Sequence, residues 1–143
     1  MTTHLGDELH GMTANAVTSV SLDPLLILVC VDKTADTHDI LSQAGVFTVN
    51  ILGREQQELS KKFATKRDTG TQKLDGVPHK LGSNGCPILD GALAYLDCIT
   101  SRQLDGGDHT IFLGQVVDAR ELNDDEPLLF YSGRFGRLAP EPP

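Results

Sequence analysis

The chain has 143 residues, 39% of them hydrophobic and 22% charged, with a formal net charge of −8. That size and balance describe one soluble domain with room for a real core, and the negative charge argues against nucleic acid or an anionic membrane surface as a partner. No apolar run approaches the ~18 residues of a membrane-spanning helix, no basic segment leads into an apolar one as in a secretory signal, and Cys30, Cys86 and Cys98 read as free thiols in a reducing cytoplasm.

In chain order, Met1–His10 is short and polar with a turn signal at Gly6-Asp7. Gly11–Pro24 then alternates with period two. Met12, Ala14, Ala16, Thr18, Val20 and Leu22 fall on one side, and Thr13, Asn15, Val17, Ser19 and Ser21 on the other. This predicts a strand over 11–22 with one buried face. The second face carries short hydroxyl and amide groups and no charge, which leaves room for something flat and polar against the backbone. An edge strand rich in Thr and Ser would show the same pattern.

Asp23-Pro24 predicts a turn into a second strand over 25–31. A helix is expected near 38–44, with Asp36 or Thr37 as N-cap and Gly45 as its stop. Phe47, Val49 and Ile51 alternate with Thr48 and Asn50 as in a strand, and Arg54–Ala64 reads as a helix with Leu59 and Phe63 on its inner face. Residues 65–91 are expected to form a long loop with one short strand near 79–82; loops of that length are often functional. Ala92–Gln103 and His109–Glu121 read as a hairpin turning at Leu104–Asp108. Its second strand is apolar on both faces, with Ile111, Leu113 and Val117 on one and Phe112 and Val116 on the other, so a second subunit is expected to cover the outer one. Pro127–Tyr131 is the last expected strand, and 139–143 a proline-rich tail.

Few residues here carry chemistry by themselves. The Lys33–His38 loop could hold a phosphate through Lys33, Thr37 and a helix N-terminus, or be a plain capping loop with a solvated lysine. His109 opens a strand after a Gly-Gly-Asp turn, a position more often held by a surface histidine than a catalytic one. Asn50, Thr13 and Asn15 could bind a ligand or tie strands together. Lys61-Lys62 with Lys66-Arg67 reads first as a solvated helix face. The histidines have no ligand spacing, so no metal site is expected.

Several stretches, in order, resemble the flavin reductase-like family. They are Gly11-Met12-Thr13-Ala14-Asn15 with Ser19-Val20-Ser21 and Pro24, Cys30-Val31 with Thr37-His38, Phe47–Leu52, Lys62-Phe63-Ala64, and Gly107-Asp108-His109 through Gly114. The resemblance runs from about Gly6 to Arg137. It implies a mainly β fold, an antiparallel split β-barrel of the FMN-binding type with two short helices, assembled as a homodimer. It also implies an NAD(P)H:flavin oxidoreductase that passes hydride from NADH or NADPH to FMN or FAD and releases reduced flavin to a separate monooxygenase.

The flavin contacts implied are Met12, Thr13, Ala14, Asn15, Ala16, Thr18, Ser19, Val31, Asp32, Lys33, Thr37, Asn50, Phe63 and Ala64. His109 would face the nicotinamide. The family carries a helix and a Val-rich strand upstream. Thr2-Thr3 corresponds to that strand's tail, so the chain is expected to lack the helix and most of the strand. A second reading is a non-catalytic flavin-binding electron carrier or storage protein of the same fold; a third is a shortened relic that dimerises and binds nothing.

Overall fold

The computed structural model describes residues 1–65 and 72–139. The chain runs through β1 (Thr2–Leu5), β2 (Glu8–Gly11), β3 (Val17–Leu22), β4 (Leu25–Asp32), α1 (Asp36–Ala44) and β5 (Val46–Ile51). A 3-10 turn at Arg54–Gln56 leads into α2 (Gln57–Ala64). After a second such turn at Gln72–Leu74 come β6 (His79–Leu81), β7 (Pro87–Leu89), β8 (Ala94–Gly106), β9 (His109–Glu121), β10 (Leu129–Tyr131) and β11 (Arg134–Gly136). Seven strands form the antiparallel split barrel in the order β2-β1-β5-β8-β9-β4-β3, and β6–β7 and β10–β11 are separate two-stranded hairpins.

Alternation along β4 turns Ile27, Val29 and Val31 inward, where they meet Leu41 of α1, Phe47 and Val49 of β5, Cys98 of β8 and Phe112 of β9. A Cβ on Gly114 of β9 would stand 2.5 Å from the Phe47 ring. Phe47 belongs to β5, and β8 lies between β5 and β9 in the sheet. The sheet is thus curled enough for Phe47 to reach across its neighbour, and glycine supplies the space. A second core of Phe63, Leu74 and Leu89 takes in Leu9, Leu52, Leu59 and Val77.

Beneath β6–β7 lies a buried polar layer. Asp97 is fully buried and accepts hydrogen bonds from Thr48 Oγ1 (2.6 Å), Ser83 N (2.8 Å) and Ser83 Oγ (2.9 Å). Asn84 donates to the Phe47 carbonyl (3.0 Å), and Thr2 Oγ1 to the Pro87 carbonyl (2.6 Å). Those bonds order a segment that reads as loop because its partners are polar side chains distant in sequence.

Several expectations need correction. The continuous strand over 11–22 is two strands, β2 and β3, separated by an extended strap at 12–16. Thr13 turns aside to donate its N–H to the Phe63 carbonyl (3.1 Å), and pairing with β4 begins only at Val17. A register shift between Ser19 and Ser21 breaks the alternation, so Val20 and Leu22 are exposed, not buried. The N-cap of α1 is Ala35, with no side-chain cap, while Gly45 ends the helix at φ 68° as expected. Arg54–Gln56 is a 3-10 turn, so α2 starts at Gln57. The region 72–91 holds two short strands instead of one, and residues 66–71 of the expected loop lie outside the described residues. The β8–β9 hairpin runs to Gly106↔His109 and turns at Gly107-Asp108, two residues further on than the Asp-Gly signal. Among the described residues Phe112 is buried, Ile111 and Leu113 on the other face are half-buried, and Val117 is exposed. At the other end, β1 pairs with both β2 and β5, so Thr2-Thr3 sits inside the sheet.

Candidate functional site

The strap at 12–16 is the centre of the site because it belongs to no strand. Its two ends are anchored. Met12 exchanges backbone bonds with Met1, and Thr13 adds a side-chain bond to the Ser60 carbonyl (2.6 Å), fixing it to α2. At the far end the Ala16 carbonyl accepts from Cys30 N of β4 (2.9 Å). Between these anchors, among the described residues, the N–H groups of Ala14 and Asn15 and the Asn15 amide have no hydrogen-bond partner. A backbone with free donors and short side chains offers a polar edge at close approach.

One flank of the strap opens on a cavity of about 600 Å³, within the ~300–1,000 Å³ usual for small-molecule sites. Met12 through Asn15 form its rim. Val49 through Leu52 of β5 and its continuation, and Leu59, Phe63 and Ala64 of α2, form its walls. The β10–β11 hairpin covers it with Phe130 and Phe135, whose rings meet edge to face with centroids 5.1 Å apart. Lys61 Nζ lies 5.8 Å from the Phe135 ring centroid and 2.7 Å from Glu58 Oε1. That hairpin is held to the body by the Gly53↔Pro127 bridge, the Leu128 N–H to Leu52 carbonyl bond (2.9 Å) and the Arg54–Glu126 ion pair (2.6 Å).

The other flank of the strap is the C-terminal end of β4. Cys30 pairs with Ile111 and Asp32 with His109, so the strap and His109 flank that end of β4 from opposite sides. Two strand spacings separate them, roughly 10 Å. Asp32 Oδ1 accepts from the N–H and hydroxyl of Thr34 (2.7 Å each), which shapes the turn into α1. Lys33 Nζ donates to Asp105 Oδ1 (2.5 Å) and to the Gly107 carbonyl (2.6 Å), and that hydrogen bond to Asp105, with the lysine's charge behind it, holds the Asp105 carboxyl below the usual carboxylate range. His109 Nδ1 lies 2.7 Å from Asp108 Oδ1.

The expected site residues thus fall into distinct places. Met12, Thr13, Ala14, Asn15, Asn50, Phe63 and Ala64 line the cavity, while Ala16, Asp32, Lys33 and His109 gather at the end of β4. Val31 and Thr37 are buried at 0% and 2% exposure, so neither offers its side chain to a ligand. Thr18 and Ser19 lie exposed on β3 at the sheet edge. Asn50 uses both amide N–H groups on Thr2 Oγ1 and the Pro87 carbonyl and accepts from Leu89 N (2.9 Å), tying β5 to β1 and β7. Phe130 and Phe135 were missed by sequence reasoning. The Ser132-Gly133 turn between them, with both residues at positive φ, was the signal for a second hairpin strand.

The sequence profile of the flavin reductase like domain matches residues 1–139. An NADH-dependent FAD reductase from Streptomyces globisporus is 44% identical over 138 residues, spanning 95% of this chain and 76% of that protein. The reductase component of a 4-nitrophenol 4-monooxygenase/4-nitrocatechol 2-monooxygenase from Rhodococcus opacus is 40% identical over 131 residues, 92% of this chain and 68% of that one. Among solved structures, the Streptomyces globisporus C-1027 NADH:FAD oxidoreductase in complex with NAD and FAD fragments superposes with a TM-score of 0.90 at 42% identity, covering 98% of this chain and 84% of that one.

Proposed function

The chain belongs to the flavin reductase-like domain family, and on that footing we propose that it is an NADH-dependent reductase of FAD or FMN that hands reduced flavin to a partner monooxygenase. The observation that carries this reading is the strap, whose Ala14 and Asn15 N–H groups are free beside a largely apolar cavity. A flavin fits such a site, because its ring system is flat and apolar in body and polar along one edge. When bound, the flavin supplies the redox chemistry, taking up a hydride and later passing its electrons on.

The protein's part is to bind, orient and exclude water. Ala14 and Asn15 hold the polar edge through the backbone, with the Asn15 amide beside them. Met12, Val49 and Phe63 provide the dry wall, and Phe130 and Phe135 close the open side. Asn50 holds the wall together, since its hydrogen bonds are spent within the fold. His109 stands on the nicotinamide side, where it aligns the dinucleotide without moving a proton. The whole chain acts as one domain and works in the cytoplasm, in keeping with its three free thiols.

It works as a homodimer. Val20, Leu22 and Leu25 form an exposed apolar group where β3 meets β4, and among the described residues the outer edge of β3 is unpaired. Apolar side chains on an open edge call for a cover.

The test is NADH oxidation followed at 340 nm with FMN or FAD, alongside quenching of flavin fluorescence. Flavin-dependent loss of NADH is the expected result. Quenching without NADH oxidation would make the protein a passive flavin carrier instead, and the absence of both would overturn the site.

A further inference from the structure

We infer that Lys33 is a positioning residue, fixing the β8–β9 turn so that His109 is held in place. The inference rests on the reading of His109 as the residue on the nicotinamide side. Three bonds run from Lys33 onto the four residues preceding His109. Its backbone N–H donates to the Asp108 carbonyl (2.9 Å), and its ammonium donates to Asp105 Oδ1 (2.5 Å) and the Gly107 carbonyl (2.6 Å). Gly107 adopts φ 79°, a turn conformation that does not itself lock the tip against its neighbours.

On the other side of His109, Thr110 Oγ1 lies 2.8 Å from Nε2 of His38. His38 belongs to α1 and packs edge to face on Phe112, with ring centroids 5.9 Å apart. The residues before His109 are therefore tethered to the β4–α1 connection through Lys33, and the residue after it to the first turn of α1 through His38. Among the described residues, the His109 ring itself is bonded only to the neighbouring Asp108 carboxylate. Its aim depends on where the turn is held.

The competing role for Lys33 is to bind a flavin phosphate. Two of its three ammonium hydrogens are already committed to Asp105 and Gly107. The adjoining first turn of α1 carries Asp36 and Asp39, whose carboxylates offset the attraction of a helix N-terminus for an anion. Two anionic side chains and a committed lysine suit an internal brace better than a phosphate site.

The experiment uses Lys33→Met, Lys33→Arg and Asp105→Asn, with His109→Ala as reference. In the flavin-free protein, the 1H–13C resonance of the His109 ring should shift or broaden in Lys33→Met and Asp105→Asn and return in Lys33→Arg. In steady-state assays kcat/KM for NADH should fall about tenfold in Lys33→Met, short of the ~100-fold that a 1 Å misplacement can cost. The Kd values for FMN and riboflavin should be unchanged. Adding Asp105→Asn to Lys33→Met should cause no further loss. An unmoved His109 resonance overturns the inference. So does a Lys33→Met protein that loses affinity for FMN and not for riboflavin, which would assign Lys33 to the phosphate. If His109→Ala leaves the NADH rate intact, the reading of His109 falls first and the brace with it.

Discussion

The ring of Phe63 occupies the space that a side chain on Gly11 would need, with its Cε1 and Cδ1 edge turned directly onto the glycine. Gly11 ends β2 and Phe63 sits in the last turn of α2, so the strap can leave the sheet only where glycine lets the helix come close. Gly11→Ala would push the ring toward the cavity. Overpacking of this kind costs about 1–3 kcal/mol, and here the loss should appear in flavin affinity as well as in melting temperature. Fluorescence titration with FMN beside a thermal melt decides it; two unchanged values would show that the ring swings aside freely.

Asp97 organises the polar layer under β6–β7. Replacing it with alanine leaves Thr48 and Ser83 without their acceptor, and a buried donor left unpaired costs about 1–3 kcal/mol. We expect Asp97→Ala to lower stability by roughly 3 kcal/mol or more, read as a shift in the urea midpoint. Gly82 lies against the same carboxylate, so Gly82→Ala should be destabilising too. A midpoint within error of wild type for Asp97→Ala would mean the layer is held by its backbone bonds alone.

Much of this layout was legible in the sequence. Alternation at Phe47, Val49 and Ile51 marked β5, and Leu59 with Phe63 marked the inner face of α2. The strap was misread because Met12, Ala14 and Ala16 continue a period of two that the backbone abandons. What ends β2 is the contact between Gly11 and Phe63, residues 52 positions apart, and no local pattern carries it. The sequence left Lys33 between a phosphate ligand and a solvated lysine, because its bonding partners, Asp105 and Gly107, lie on a distant hairpin. Phe130 and Phe135 flank a turn that was readable, but their place over the cavity depends on Pro127 and Glu126 meeting Gly53 and Arg54.

The buried thiols give a pH prediction. Burial raises Cys86 and Cys98 from the ordinary value of 9.0 to about 12 each. An acid whose folded pKa lies above its unfolded value is protonated in the native state while the unfolded chain ionises. Stability is therefore unaffected below about pH 9 and falls as the pH rises toward 12. Melting temperature should drop over that window, and less steeply in Cys86→Ser. At pH 8 a thiol-alkylating reagent should modify Cys30 alone, since it is the one cysteine not fully buried. Rapid labelling of all three thiols in native protein would contradict this.

Leu22 is 89% exposed at the tip of the β3–β4 hairpin. If that apolar group is the contact between subunits, Leu22→Glu should convert a dimer to a monomer in sedimentation while leaving the far-UV spectrum unchanged. A variant that stays dimeric places the interface elsewhere.

The cavity draws its lining from three regions of the chain, at 12–17, 49–64 and 128–135, with Met1 and Leu89 adding to it. Hairpins such as β3–β4 and β8–β9 join neighbours in sequence and can pair early, but these regions meet only after the long loops between them have closed. Recovery of flavin quenching during refolding should then trail recovery of the far-UV signal, and the gap between the two traces would time the arrival of the C-terminal hairpin. Flavin itself becomes a reporter of the last step of folding, and by mass action a saturating concentration favours the chain that has completed it.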